Sequence, residues 1–108
     1  MLNSVILIGR LTRDPELRYT PTTGAAQCHF ALAVQRGAKD EVDYINVVVW
    51  DKTAEACAQY LSKGKLAAVQ GRLQIRQYTT KEGEKRSATE VVASTVQFLS
   101  PKAAGPGD

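Results

Sequence analysis

A mainly β fold, a five-stranded barrel with one helix between its third and fourth strands, is the class this sequence predicts. Three observations carry the prediction. Apolar residues alternate with a period of two in five separate stretches, the period changes to a helical one once, and glycines interrupt two alternating stretches where a closing barrel has to bend. At 108 residues the chain has room for one core.

The first strand runs from Asn3 to Leu11, with Val5, Leu7, Gly9 and Leu11 on one side and Ile6, Ile8 and Arg10 on the other. Both sides are largely apolar, so the strand is expected to be covered on both for much of its length. Thr12 to Gly24 contains Asp14-Pro15 and Thr20-Pro21-Thr22-Thr23-Gly24, which is loop and turn chemistry. In the second strand, Ala25 to Gln35, residues Ala26, Cys28, Phe30, Leu32 and Val34 point one way. Arg36 to Glu41 is a short polar reversal. The third strand, Val42 to Trp50, puts Ile45, Val47 and Val49 on a core side and Tyr44, Asn46, Val48 and Trp50 on the other.

Ala54, Cys57, Ala58 and Leu61 then form one stripe of a helix expected over Asp51 to Lys63. Asp51 or Thr53 can cap its start, and Gly64 is a natural stop. From Leu66 the period returns to two. Ala67, Val69, Gly71, Leu73 and Ile75 are expected inward, and Arg72, Gln74, Arg76 and Tyr78 share the opposite side. Thr79 to Ser87 reads as a charged hairpin loop and Ala88 to Leu99 as the fifth strand. Three strands, a helix and two strands are the plan of the OB-fold, with Gly9 and Gly71 supplying bends. Its usual ligand surface is the face of strands two and three, framed by the loops between strands one and two and four and five. The domain is expected over residues 1–100, with 101–108 a flexible Pro/Gly/Ala stub.

Several function classes are disfavoured. The longest apolar runs, Val5 to Ile8 and Val47 to Trp50, are far too short for a membrane span, and the N-terminus does not read as a secretory signal. Cys28 and Cys57 fit neither a disulfide framework nor a zinc ribbon, and read as reduced, packed thiols of a cytoplasmic protein. His29 stands alone in a strand with no nearby nucleophile or orienting acid, and reads as a surface or interface residue rather than a base. Asp40, Glu41 and Asp43 lack calcium-loop spacing and read as a solvated turn. Lys63-Gly64-Lys65 lacks the upstream glycine of a phosphate loop. No enzyme, cofactor, metal or small-molecule substrate is expected.

Binding is better supported. The net charge is only +3, but Lys63 to Arg86 holds seven basic residues against two acids. Aromatics interleaved with cations on one sheet face suit a single-stranded nucleic acid, because bases stack while phosphates pair. Tyr44 and Trp50 share a side of one strand, roughly 20 Å apart along it. Tyr78 follows Arg72 and Arg76 on one side of the fourth strand. The alternative is that Trp50 plugs the barrel end and the tyrosines are ordinary strand residues. The joint pattern favours a binding face. Tyr19 and Tyr60 are assigned to structural packing.

Val5 to Pro21 (V-I-L-I-G-R-L-T-R-D-P-E-L-R-Y-T-P) resembles the opening of bacterial single-stranded DNA-binding proteins. Asp43 to Glu55, Tyr60 to Lys65, Gln70 to Gly83 and Thr89 to Ala93 resemble the same family in the same order. The resemblance implies an OB-fold that assembles as a homotetramer and coats single-stranded DNA with little sequence preference during replication, recombination or repair. It implies that Tyr44, Trp50 and Tyr78 stack bases and that Lys52, Lys63 and Arg76 contact the backbone. Arg10, Arg72, Lys81, Lys85 and Arg86 join these on strand face and loop position alone. Two departures stand out. Arg36 to Glu41 is short and lacks an aromatic some members carry there. The acidic, partner-recruiting tail common in the family is not seen before Asp108, so partners held through such a tail are not expected. A primosome-type protein on the same fold, or an oligomerisation module working through protein contacts, is the alternative reading.

Overall fold

The computed structural model describes residues 1–37 and 40–100; the expected C-terminal stub, 101–108, lies outside the described residues. Among the described residues the elements are β1 (Val5–Leu11), β2 (Glu16–Tyr19), β3 (Ala26–Gln35), β4 (Val42–Trp50), α1 (Asp51–Tyr60), β5 (Leu66–Thr79) and β6 (Lys85–Phe98). Five strands close a ring in the order β1-β5-β6-β4-β3 and back to β1, as expected for an OB-fold barrel. All neighbours are antiparallel except β4 and β6, which run parallel.

β2 departs from the expectation. Its residues fall in a segment with loop chemistry, yet they pair with β3 from Glu16↔His29 to Tyr19↔Ala26. The reason is a free edge. β1 occupies that side of β3 only at Leu32 and Ala33, leaving the first half of β3 to accept another strand. A strand of four residues is too short for its alternation to show.

β1 itself changes partner. Val5 to Arg10 pair with β5, then Arg10 and Leu11 pair with β3, so the chain crosses a barrel corner next to Gly9. A side chain there would start 2.5 Å from the carbonyl oxygen of Ala33. Gly71 lies at the register shift between β5 and β6, where a Cβ would run into the backbone of Val92. Both glycines are therefore required by close approach as well as by bending.

The core side of each strand is the expected one as far as the barrel extends. Cys28, Phe30, Leu32, Val47, Val49, Val69 and Val91 are at most 2% exposed. Ala54 and Cys57 of α1 join this cluster, with Leu61 just past the helix end. The helix stripe and its start at Asp51 are thus as expected, but its caps and its C-terminal end are not. Neither Asp51 nor Thr53 caps it: Trp50 holds the cap position with no side-chain hydrogen bond, and Asp51 takes a left-handed φ of 59° to turn the chain from strand into helix. The helix stops at Tyr60, where Leu61 returns to extended backbone. Gly64, with φ of 87°, serves the next turn instead, donating its N–H to the Leu11 carbonyl.

β5 and β6 outrun the barrel. Pairing of β5 with β1 ends at Val5↔Gly71, so from Arg72 onward β5 has only β6 beside it. Leu73 and Ile75, expected inward, are therefore 43% and 63% exposed: the arm has no opposite wall to bury them against. β6 also starts three residues earlier than expected, shrinking the loop to a turn in which Thr80 N–H donates to the Glu84 carbonyl and Gly83 has φ of 84°. β1 is covered on one side only; Ile6 and Ile8 are more than half exposed in the single chain. Tyr60 packs its ring 5.8 Å from that of Phe98 and Tyr19 donates to Glu55 at 3.3 Å, yet both tyrosines remain mostly exposed.

Candidate nucleic-acid interface

The outward side of the β2-β3-β4-β6-β5 wall can be read off the register. Gln27 of β3 lies beside Trp50 of β4, His29 beside Val48, Ala31 beside Asn46 and Ala33 beside Tyr44. Across the parallel pair, Asn46 lies beside Glu90 and Val48 beside Val92. Beyond β6, Glu90 and Val92 face Gln74 and Arg72, and Arg76 and Tyr78 continue the same side of β5 opposite Ala88 and Arg86. Tyr44, Trp50, Arg72, Arg76 and Tyr78 thus belong to one continuous outer face. Trp50 is 38% exposed, Tyr44 71% and Tyr78 42%, so none of the three is a core plug.

A cleft of about 460 Å³ opens on this face, with Trp50 and Arg18 at one side and Arg72 and Arg76 at the other. Its floor is polar. Glu90 is only 6% exposed, and its Oε1 accepts from Gln74 Nε2 at 3.2 Å and from Arg76 Nε at 3.4 Å. Arg72 in turn donates to Gln74 Oε1 at 3.2 Å. A buried carboxylate needs such partners, and here they fix the two arginines that flank the cleft. The Arg76 guanidinium also lies 5.4 Å from the centre of the Tyr78 ring, a cation–π distance that lines up cation and aromatic along β5.

Strand geometry explains why these side chains converge. Alternation sends every second residue outward, the barrel wall is continuous in that direction, and its buried acid is already neutralised by Arg76. The face therefore combines flat π surfaces with cations able to pair with phosphate, and its central carboxylate is occupied.

The pattern of the whole chain decides its kinship. Residues 2–99 match the model of the single-strand binding protein family. The chain belongs to that family. Among curated relatives, single-stranded DNA-binding protein 2 of Clostridium acetobutylicum is 56% identical over 102 residues, covering 91% of this chain and 77% of that protein. The single-stranded DNA-binding protein of Clostridium tetani is 55% identical over 91% of this chain and 70% of its own length. Single-stranded DNA-binding protein A of Bacillus subtilis is 53% identical over 97% of this chain and 63% of its own length.

For this member of the single-strand binding protein family, the other expected contacts lie outside the lining of the cleft. Lys52 is exposed in the first turn of α1, directly after Trp50 and Asp51. Lys63 follows the helix, its backbone N–H donating to Asp14 at 2.9 Å while the side chain stays exposed. Lys81, Lys85 and Arg86 sit at the tip of the β5–β6 arm, where Arg86 pairs with Glu84 at 2.9 Å. Arg10 stands apart. Its guanidinium donates to the Gly64 carbonyl at 3.0 Å, and it lines a separate depression with Ile8 and Leu66.

Three cleft residues are not evident from sequence. Arg18 comes from a segment with loop chemistry, and only β2 carries it to the cleft. Glu90 is a strand acid whose partners, Gln74 and Arg76, lie 16 and 14 residues away on the neighbouring strand β5. His29 reads in sequence as a lone surface or interface residue, although the alternation of β3 already puts it on the side opposite Cys28 and Phe30. That alternation is the available signal.

Proposed function

We propose that this chain binds and coats single-stranded DNA without strong sequence preference, stacking bases on Trp50, Tyr44 and Tyr78 and pairing phosphates with Arg72, Arg76, Lys52 and Lys63. The observation that carries the reading is the shared outer face. Exposed aromatics and arginines lie on one continuous wall, with the Arg76–Tyr78 pair giving a cation and a stacking surface side by side. The basic tip with Lys81, Lys85 and Arg86 extends the cationic track along the arm. Arg10, held by Gly64, is left out of it. Nothing in such a face reads base edges systematically, so coating rather than sequence recognition is the mode.

Residues 1–100 act as one binding domain that works in the cytoplasm during replication, recombination or repair, as a homotetramer. Support for assembly comes from apolar side chains left bare on a single copy: Ile6, Ile8, Leu73 and Ile75 are each 43% exposed or more. No helix among the described residues is long and apolar enough to cross a membrane.

Gel filtration with and without oligo(dT) tests the reading. A tetramer-sized peak that shifts to larger mass and carries the oligonucleotide is the expected result. A tetramer that leaves the oligonucleotide behind would make the chain an oligomerisation module instead.

A further inference from the structure

The cleft contains two groups that strand binding as described does not use, Arg18 and His29. His29 lies on the cleft side of β3, with Glu16 of β2 and Val48 of β4 beside it in register. Its Nε2 is shut away from solvent and has no hydrogen-bond partner among the described residues. A buried ring nitrogen without a partner is unfavourable, and such a group in a native fold calls for a physical explanation.

The charges around it are mixed. β2 contributes Arg18 and Glu16, β5 Arg76 and β6 Glu90, while the β4 neighbours in the cleft, Val48 and Trp50, are uncharged. Burial first, then the Arg18 charge, hold the imidazole below its usual pKa, with Arg76 acting the same way and the two glutamates opposing. In the free protein the ring is therefore mostly neutral at pH 7. Arg18 and Arg76 are each about half exposed or more, and each already rests against a carboxylate, Glu16 and Glu90 respectively. Each guanidinium has five N–H donors and meets its carboxylate through one nitrogen, Arg18 through Nη2 and Arg76 through Nε, so both keep donors for a phosphodiester while Glu90 stays paired, and the cleft is of a size that holds a small ligand.

We propose that this cleft is a subsite for one nucleotide of the bound strand, its phosphate seated between Arg18 and Arg76 and its base against Trp50, with His29 taking up a proton as the phosphate arrives. The inference rests on the strand-binding reading and adds Arg18 and His29 to it. The electrostatics run in one direction. A phosphate neutralises the two arginines that oppose protonation of His29 and adds an anion nearby, so the imidazolium is favoured only in the complex. The proton comes from solvent and returns to it on dissociation. Affinity must then rise as pH falls through the pKa of the bound state, and level off below the pKa of the free state.

His29 is the sole histidine, so its ring C–H signals in a proton NMR titration are unambiguous. Adding saturating oligo(dT) should raise its pKa, and calorimetric titration in two buffers of different ionisation enthalpy should show net proton uptake near neutral pH. Each unit of upward shift corresponds to about tenfold tighter binding at low pH relative to high pH. His29→Gln should bind with no uptake in this range and lose that share of the pH dependence; Glu16 and Glu90 are present in both proteins and cancel. Tight binding with an unchanged His29 pKa, or equal uptake by His29→Gln, overturns the subsite. A flat titration with no binding by the native chain overturns the strand-binding reading instead. Should His29→Gln melt well below the native chain, the NMR pKa of native His29 with and without oligonucleotide decides the matter alone.

Discussion

Trp50 joins two roles at one position. It ends β4 on the outer face and holds the cap position of α1, so its ring is set by both elements while remaining 38% exposed. Trp50→Ala should cost about 1–3 kcal/mol of affinity for oligo(dT), measured by titration, because a stacking platform is removed. Its thermal melt without DNA should stay close to that of the native chain. A collapse of several kcal/mol, as for a large core residue, would contradict the groove assignment. The neighbouring Asp51 bears the local strain. A non-glycine residue at φ of 59° is disfavoured, so Asp51→Gly should raise stability by about 0.5–1 kcal/mol in a denaturant melt and leave the fold unchanged. Cys28 and Cys57 are fully buried thiols, pushed up to about 11 and about 12 from the usual 9.0, mainly by burial. Because the folded pKa values are raised, their burial favours the fold fully below about pH 9 and loses that contribution as pH climbs toward those values. A thiol reagent at pH 8 should leave the native chain unmodified and titrate both cysteines once it is unfolded; rapid native reaction would contradict their packing.

At the level of elements, the β5–β6 arm shows what alternation conveys and what it cannot. Period two correctly sorts Arg72, Arg76 and Tyr78 from Leu73 and Ile75, because side-chain direction is a local property of a strand. Whether a side is buried depends on what stands opposite, and pairing with β1 stops at Gly71. The same limit hides β2: its pairing depends on a vacancy along β3 created by the path of β1, which no local pattern records. It also hides the cleft, since Arg18, His29 and Glu90 come from three different strands. By contrast, the aromatic and cationic residues of the outer face are legible because each lies at the expected parity of its own strand. The tip of the arm yields a prediction of its own. Lys81 and Lys85 are exposed and make no ion pair among the described residues, so changing both to Ala should reduce the salt slope of binding by up to about 1.4, at about 0.7 for each phosphate no longer neutralised. The melting temperature should not move. An unchanged slope would remove the tip from the cationic track.

For the molecule as a whole, a closed barrel leaves few free edges, yet bare apolar side chains persist on β1 and on the arm. Pooling such faces in a tetramer would cover them and extend a groove that one barrel makes too short to wrap a strand. Sedimentation at micromolar concentration should show a tetramer, and Ile6→Lys should shift it toward smaller species; a stable native monomer would contradict assembly. The central claim, that stacking and phosphate pairing act together on one outer face, is tested most directly by following Trp50 fluorescence during oligo(dT) titrations across a salt series. Strong quenching is predicted, with log K falling against log salt at a slope of about −3 to −4 per subunit, from roughly four to six phosphate contacts. Binding that leaves Trp50 fluorescence unchanged, or a slope near zero, would contradict it.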